Sequence, residues 1–130
     1  MYNVIVADDE KNIREGIVEL IEWEKLGCKV CASMQNGAQV LKYLEEEKIH
    51  VDIIITDIKM PIMDGMELIG MLNERFPDIK VIILTAYSDF TYAQQAIKFQ
   101  VSDFVVKNDF FLELPRAVKK IIEQCEVDAK

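Results

Sequence analysis

Apolar and polar positions along this chain follow one repeating rhythm. Short runs rich in β-branched residues at 2–7, 28–34, 51–56, 80–85 and 103–106 alternate with stretches of helical period near 11–22, 37–47, 65–75, 90–99 and 115–127. Five strands alternating with five helices predict an α/β domain whose parallel sheet is covered on both faces, because parallel neighbours need a crossover and a helix supplies it. Ile53-Ile54-Ile55 and Val81-Ile82-Ile83-Leu84 are apolar without a break. Strands buried on both faces read this way, which places these two in the middle of the sheet. The last helix shows a single stripe of Leu114, Val118, Ile121, Ile122 and Cys125, and Pro115 suits its first turn, where a missing N–H has no partner to lose. Glu45-Glu46-Glu47 closes the second helix with charge opposed to the helix dipole, so it reads as a solvated helix end.

Carboxylates stand at the ends of two of these strands. Asn3-Val4-Ile5-Val6-Ala7 runs into Asp8-Asp9-Glu10, and Ile53-Ile54-Ile55-Thr56 runs into Asp57. Strand ends that share a direction share an edge, and ligands bind outside the carboxyl ends of such a sheet. Asp8, Asp9 and Asp57 would therefore meet in one crevice, where like charges repel unless a cation joins them. An all-oxygen set of this kind suits Mg2+ or Mn2+. The fourth run ends at Thr85, a hydroxyl donor, and the fifth is followed by Lys107, a compact cation. Singly, each has a plain explanation: a turn former, a solvated charge, an acidic first helical turn. Jointly they bring five such groups from four strands to one edge, and Asp57 in particular needs a reason of its own.

With 130 residues, 51% of them hydrophobic, the chain is expected to form one domain, 1–130. A net charge of −8 argues against a surface that binds nucleic acid directly. Any DNA contact would fall to another region. No apolar run reaches the length of a membrane span and no signal-peptide pattern opens the chain, so the expected location is cytoplasmic. Cys28 and Cys31 have C-x-x-C spacing, but positions three apart on a strand face opposite sides, which favours ordinary thiols, as for Cys125.

The run Asp57-Ile58-Lys59-Met60-Pro61-Ile62-Met63-Asp64-Gly65, with Asp8-Asp9 upstream and Thr85 and Lys107 downstream, resembles the receiver domain of two-component response regulators. The likeness covers essentially the whole chain. Ile21-Glu22-Trp23-Glu24-Lys25-Leu26-Gly27 and Tyr87-Ser88-Asp89-Phe90-Thr91-Tyr92-Ala93-Gln94-Gln95-Ala96-Ile97 are similar to receivers of the YesN group, joined to AraC-type DNA-binding regions. The resemblance implies a CheY-like, flavodoxin-like (βα)5 fold with strand order 2-1-3-4-5. It also implies that Asp57 accepts a phosphoryl group from a sensor histidine kinase, that Asp8, Asp9, Asp57 and the backbone carbonyl of Lys59 hold Mg2+, and that Lys107 contacts the phosphoryl oxygens. Thr85 and Phe104 would be the switch residues, acting on the face of the fourth helix, fifth strand and fifth helix. Such a domain is a phosphoacceptor rather than an enzyme, and dimerisation on phosphorylation stays open.

Two positions depart from the family pattern. Asn108 follows Lys107 where receivers commonly have proline, and since a cis bond before a non-proline costs roughly 2.5–4 kcal/mol, a trans bond is expected. Gln100 replaces a common glycine before the fifth strand, at a cost on the order of 1 kcal/mol if that position is left-handed. A flavin-binding domain is disfavoured, because three carboxylates stand where a phosphate cradle would be needed. A haloacid-dehalogenase-type phosphatase would want an acid two residues after Asp57, where this chain has Lys59. A receiver-like module that works without phosphate is the other alternative. His50, the only histidine, sits before the third strand, away from the acidic edge, and does not suit a phosphodonor.

Overall fold

The computed structural model describes residues 1–89, 91, 93, 94 and 101–128. Five parallel strands form one sheet: β1 Tyr2–Ala7, β2 Cys28–Met34, β3 Ile53–Asp57, β4 Lys80–Thr85 and β5 Asp103–Val106, in the order β2-β1-β3-β4-β5. The order 2-1-3-4-5 is the expected one, and β3 and β4 both lie inside the sheet. The third strand starts two residues later than its apolar run suggested. Val51 and Asp52 precede it, and Asp57 is its last residue, in register with Leu84, rather than the first residue beyond it.

Alternate residues of the strands feed two apolar layers, as the strand period of two requires. Val4, Val6, Ile53, Ile55, Ile82 and Leu84 pack with Ile17, Leu114, Val118 and Ile121 on one side. Ile5, Ile54, Val81 and Ile83 pack with Val40, Leu41, Leu68 and Leu72 on the other. The helices are α1 Lys11–Leu20, α2 Gly37–Glu46, α3 Gly65–Arg75 and a C-terminal helix, Phe110–Asp128. Their starts follow local chemistry: Asn36 accepts the Gln39 N–H, and Asp64 accepts the Glu67 N–H, each satisfying one orphan donor of a first turn. The stretch read as one helix over 11–22 stops at Leu20. It continues as a 3-10 turn, Trp23–Leu26, closed by Gly27 at φ 77°, a left-handed cap that glycine adopts without steric cost.

The C-terminal helix begins five residues before the predicted start, because the 3-10 turn Lys107–Asp109 runs straight into it. Pro115 is thus inside the helix and not at its first turn. Glu45 is not merely solvated either, since it pairs with Arg75 of α3 at 2.7 Å. The helix expected over 90–99 lies outside the described residues except for Thr91, Ala93 and Gln94, which are helical. Gln100 lies outside them as well.

All three cysteines are free. Cys28 and Cys31 pack against opposite layers, and a register shift between β1 and β2 leaves Cys31 without a ladder partner. Burial, aided by the charge of Asp52, pushes the Cys28 thiol up to about 11, so it is an inert core group. Among the described residues no helix is long and apolar enough to cross a membrane.

Candidate functional site

Beside the C-terminal ends of β1 and β3 the chain order of the sheet reverses, which opens a crevice between their loops. Asp8, directly after β1, is fully buried. Its Oδ1 accepts the Glu10 N–H at 2.8 Å, and Arg14 donates to its backbone carbonyl at 2.7 Å, which fixes the turn into α1. Asp57 is 4% exposed, with Oδ1 accepting the Ile58 N–H at 2.7 Å. Asp9 is exposed, yet its carboxylate completes a trio with Asp8 and Asp57 in which one oxygen from each lies within 4.8 Å of the others.

Lys107 opens the 3-10 turn after β5 and reaches back across this crevice. Its Nζ donates to Asp57 Oδ2 at 2.8 Å and to Glu10 Oε1 at 2.8 Å, and stands 3.2 Å from Asp8 Oδ2. The last contact has ion-pair distance without hydrogen-bond geometry; the lysine's bond to this residue goes to Oδ1 at 3.4 Å, and Asp8 Oδ2 remains a buried oxygen with no hydrogen-bond partner. One ammonium therefore serves several carboxylates. Burial, reinforced by the charge of Asp8, pushes Asp57 up to about 6 even though the Lys107 bond and the Ile58 N–H pull the other way. Asp8 is raised as well, chiefly by burial. For Lys107 burial works downward, but its bonds to Asp57 and Glu10 outweigh it and the net direction is upward. Four carboxylates, those of Asp8, Asp9, Glu10 and Asp57, gather around one ammonium, so the crevice is short of positive charge. A buried orphan oxygen within a converging, all-oxygen trio is the donor set that a hard divalent cation fits.

Thr85 ends β4, buried, with its hydroxyl donating to the Ala86 carbonyl at 2.9 Å. Phe104 lies in β5, half-buried against the α2 and α3 layer. Lys59 stands in the loop after β3, where its ammonium pairs with Asp89 at 2.8 Å, tying that loop to the 3-10 turn Tyr87–Asp89 beyond β4. The peptide bond after Lys107 is trans, as expected for Asn108, since the described residues contain no cis bond. The sheet thus carries Asp8, Asp57, Thr85 and Lys107 to one edge, with Asp9 at its rim.

Three features escaped the sequence reading. Glu10 looked like a helix-start charge, and only the folded arrangement joins it to Lys107. The Lys59–Asp89 pair spans thirty positions of sequence and has no local signal. Gly65 is required by close approach: its N–H donates to the Ile58 carbonyl at 2.7 Å, and a Cβ there would sit 2.2 Å from the Asp57 carbonyl oxygen. The Asp-Gly pair at 64 and 65 was the available signal, a helix cap followed by a residue with no side chain.

Residues 4–119 match the response regulator receiver domain family. The chain is 38% identical over 107 residues to the transcriptional regulatory protein YesN of Bacillus subtilis, covering 82% of this chain and 28% of that protein. It is 30% identical over 128 residues to the transcriptional regulatory protein HptR of Staphylococcus aureus, covering 95% of this chain and 49% of HptR. The chain thus spans less than half the length of both regulators. Among solved structures, the REC domain of AraT, a response regulator from Geobacillus stearothermophilus, superposes with a TM-score of 0.83 at 37% identity, covering 96% of this chain and 98% of that one. With the sheet order, the acidic edge and the family match in agreement, this chain belongs to the response regulator receiver domains of two-component systems.

Proposed function

We propose that this chain, as one domain over 1–130, is the phosphoacceptor of its pathway and that Asp57 receives the phosphoryl group. The supporting observation is the position of its carboxylate, buried at the end of β3 between Asp8 and the Lys107 ammonium. A carboxylate oxygen of Asp57 attacks the phosphorus of a phosphohistidine on a sensor histidine kinase. The P–N bond breaks, its electron pair leaves with the imidazole, and an acyl phosphate forms. Phosphoryl transfer asks a protein mainly for positioning and charge neutralisation. Mg2+ bound by Asp8, Asp9, Asp57 and the backbone carbonyl of Lys59 would supply the larger part of that neutralisation. Lys107 supplies the rest by turning a donor toward the new phosphoryl oxygens.

Thr85 is the sensing residue in this reading. Its hydroxyl leaves the Ala86 carbonyl for a phosphoryl oxygen and draws the chain after β4 inward, with Phe104 coupled to the move. The signalling face is then the segment over 90–99, β5 and the C-terminal helix. A ligand biases such an equilibrium only through its different contacts in the two states, and the new oxygens supply that difference. The output is a DNA-binding region of AraC type outside this chain, supported by the likeness to YesN, a longer transcriptional regulator. The domain itself makes no contact with DNA, acts in the cytoplasm, and is the kinase's substrate rather than an enzyme; the acyl phosphate would also favour a homodimer.

The test is incubation with acetyl phosphate and Mg2+, followed by mass spectrometry of the intact chain and its peptides. One added phosphoryl group on the peptide that contains Asp57, lost when EDTA is present, is the expected result. No labelling, or labelling independent of a divalent metal, would overturn the reading.

A further inference from the structure

An ammonium group has three N–H donors, and in this fold Lys107 donates to three carboxylates: Asp57 Oδ2 at 2.8 Å, Glu10 Oε1 at 2.8 Å and Asp8 Oδ1 at 3.4 Å. The three partners are not equivalent. The side chains of Asp8 and Asp57 are 0% and 5% exposed, whereas that of Glu10 is 60% exposed. Releasing Glu10 to water leaves no charge stranded in the interior, while releasing either aspartate would. Glu10 is also the N-cap residue of α1, yet its side chain makes no cap hydrogen bond. It forgoes the local role such a position offers and reaches to a residue 97 positions away.

From this geometry we propose that Glu10 is a positioning residue that competes with the phosphoryl group for Lys107. It takes up the ammonium on its solvent-exposed side, where incoming phosphoryl oxygens would compete for a donor, and adds a negative charge beside them. Glu10 thereby sets how readily the domain takes up its phosphoryl group, and is the partner that Lys107 releases on activation. The inference rests on the phosphoacceptor reading above.

Beryllofluoride, which mimics a phosphoryl group on an aspartate, provides the probe. Its affinity is measured by amide chemical-shift titration, at magnesium concentrations saturating for each protein, in wild type, Glu10→Gln and Glu10→Asp. Glu10→Gln removes the charge at constant size, and Glu10→Asp keeps the charge but withdraws it by one methylene. Both are expected to bind beryllofluoride more tightly, by about two- to five-fold, the range spanned by an ion pair with one exposed partner. Both should also alter the ammonium resonance of Lys107, which a role confined to helix capping would leave in place. Unchanged or weaker affinity in Glu10→Gln, or wild-type affinity in Glu10→Asp, would overturn the competition. If the wild type takes up neither beryllofluoride nor acetyl phosphate, the phosphoacceptor reading fails first and the competition falls with it.

Discussion

Two aspartates bracket the same central strand, and their surroundings differ in kind. Asp52, just before β3, accepts the Asn3 N–H at 2.8 Å and pairs with His50 at 3.1 Å, while its backbone bridges β1 and β4 through bonds of 2.9 Å on each side. Asp57, at the other end, is buried beside Asp8 and shares one lysine with two further carboxylates. The first carboxylate is satisfied and pins the sheet. The second shares a single ammonium with other carboxylates and is left short of positive charge, which costs the fold stability. The one non-glycine residue with positive φ among those described also lies at this second end: Ile62, at φ 68° and 84% exposed.

The largest expected effect separates the two aspartates outright. Asp57→Asn should abolish labelling by acetyl phosphate, because an amide forms no acyl phosphate. Asp52→Asn should label as the wild type does and lose about 1 kcal/mol in urea unfolding, from weakening one hydrogen bond to a charged acceptor. Equal labelling of both variants would erase the contrast.

Next in size is removal of the basic partner at each end. Lys107→Met strands buried carboxylates and should destabilise the fold by about 3 kcal/mol, whereas His50→Ala, at an exposed pair, should stay within about 0.5 kcal/mol. Comparable losses for both would show that the Lys107 cluster is solvated like the other end.

The pH dependence sharpens the same point. Asp57 is raised from 3.8 to about 6, so between those values the folded state binds more protons than the unfolded chain. The slope of stability with pH is then negative. In the absence of divalent metal, thermal melts should show stability falling as pH rises from about 4 to 6 through this group, and Asp57→Asn should flatten the fall. Added Mg2+ should restore stability above pH 6 by mass action, with a smaller gain in Asp9→Asn. A wild type whose melts rise through this window and ignore Mg2+ would contradict the charge deficit.

The smallest effect concerns strain. Ile62→Asn, which tolerates the left-handed region far better than a β-branched residue, should stabilise by about 1 kcal/mol. A loss of stability there would mean that the Ile62 side chain contributes more than its backbone strain costs.

The sequence by itself determined the architecture and most of the acidic edge, because both rest on short-range regularities. A period of two or of 3.6 in apolar residues sets strand or helix, and in a parallel sheet a residue's place at a strand end sets its edge. Asp8, Asp9, Asp57, Thr85 and Lys107 were therefore readable from position alone. Boundaries were less so: Pro115 looked like a helix start, and only the turn Lys107–Asp109 running into Phe110 moved that start upstream. What tertiary structure decided was partnership. That Lys107 divides itself among Asp57, Asp8 and Glu10, that Lys59 pairs with Asp89, and that Gly65 must lack a side chain beneath the Asp57 carbonyl all depend on groups brought together by the sheet. Burial then turned those neighbours into energies, since the same carboxylates in water would not repel so strongly and Asp57 would not be lifted to about 6.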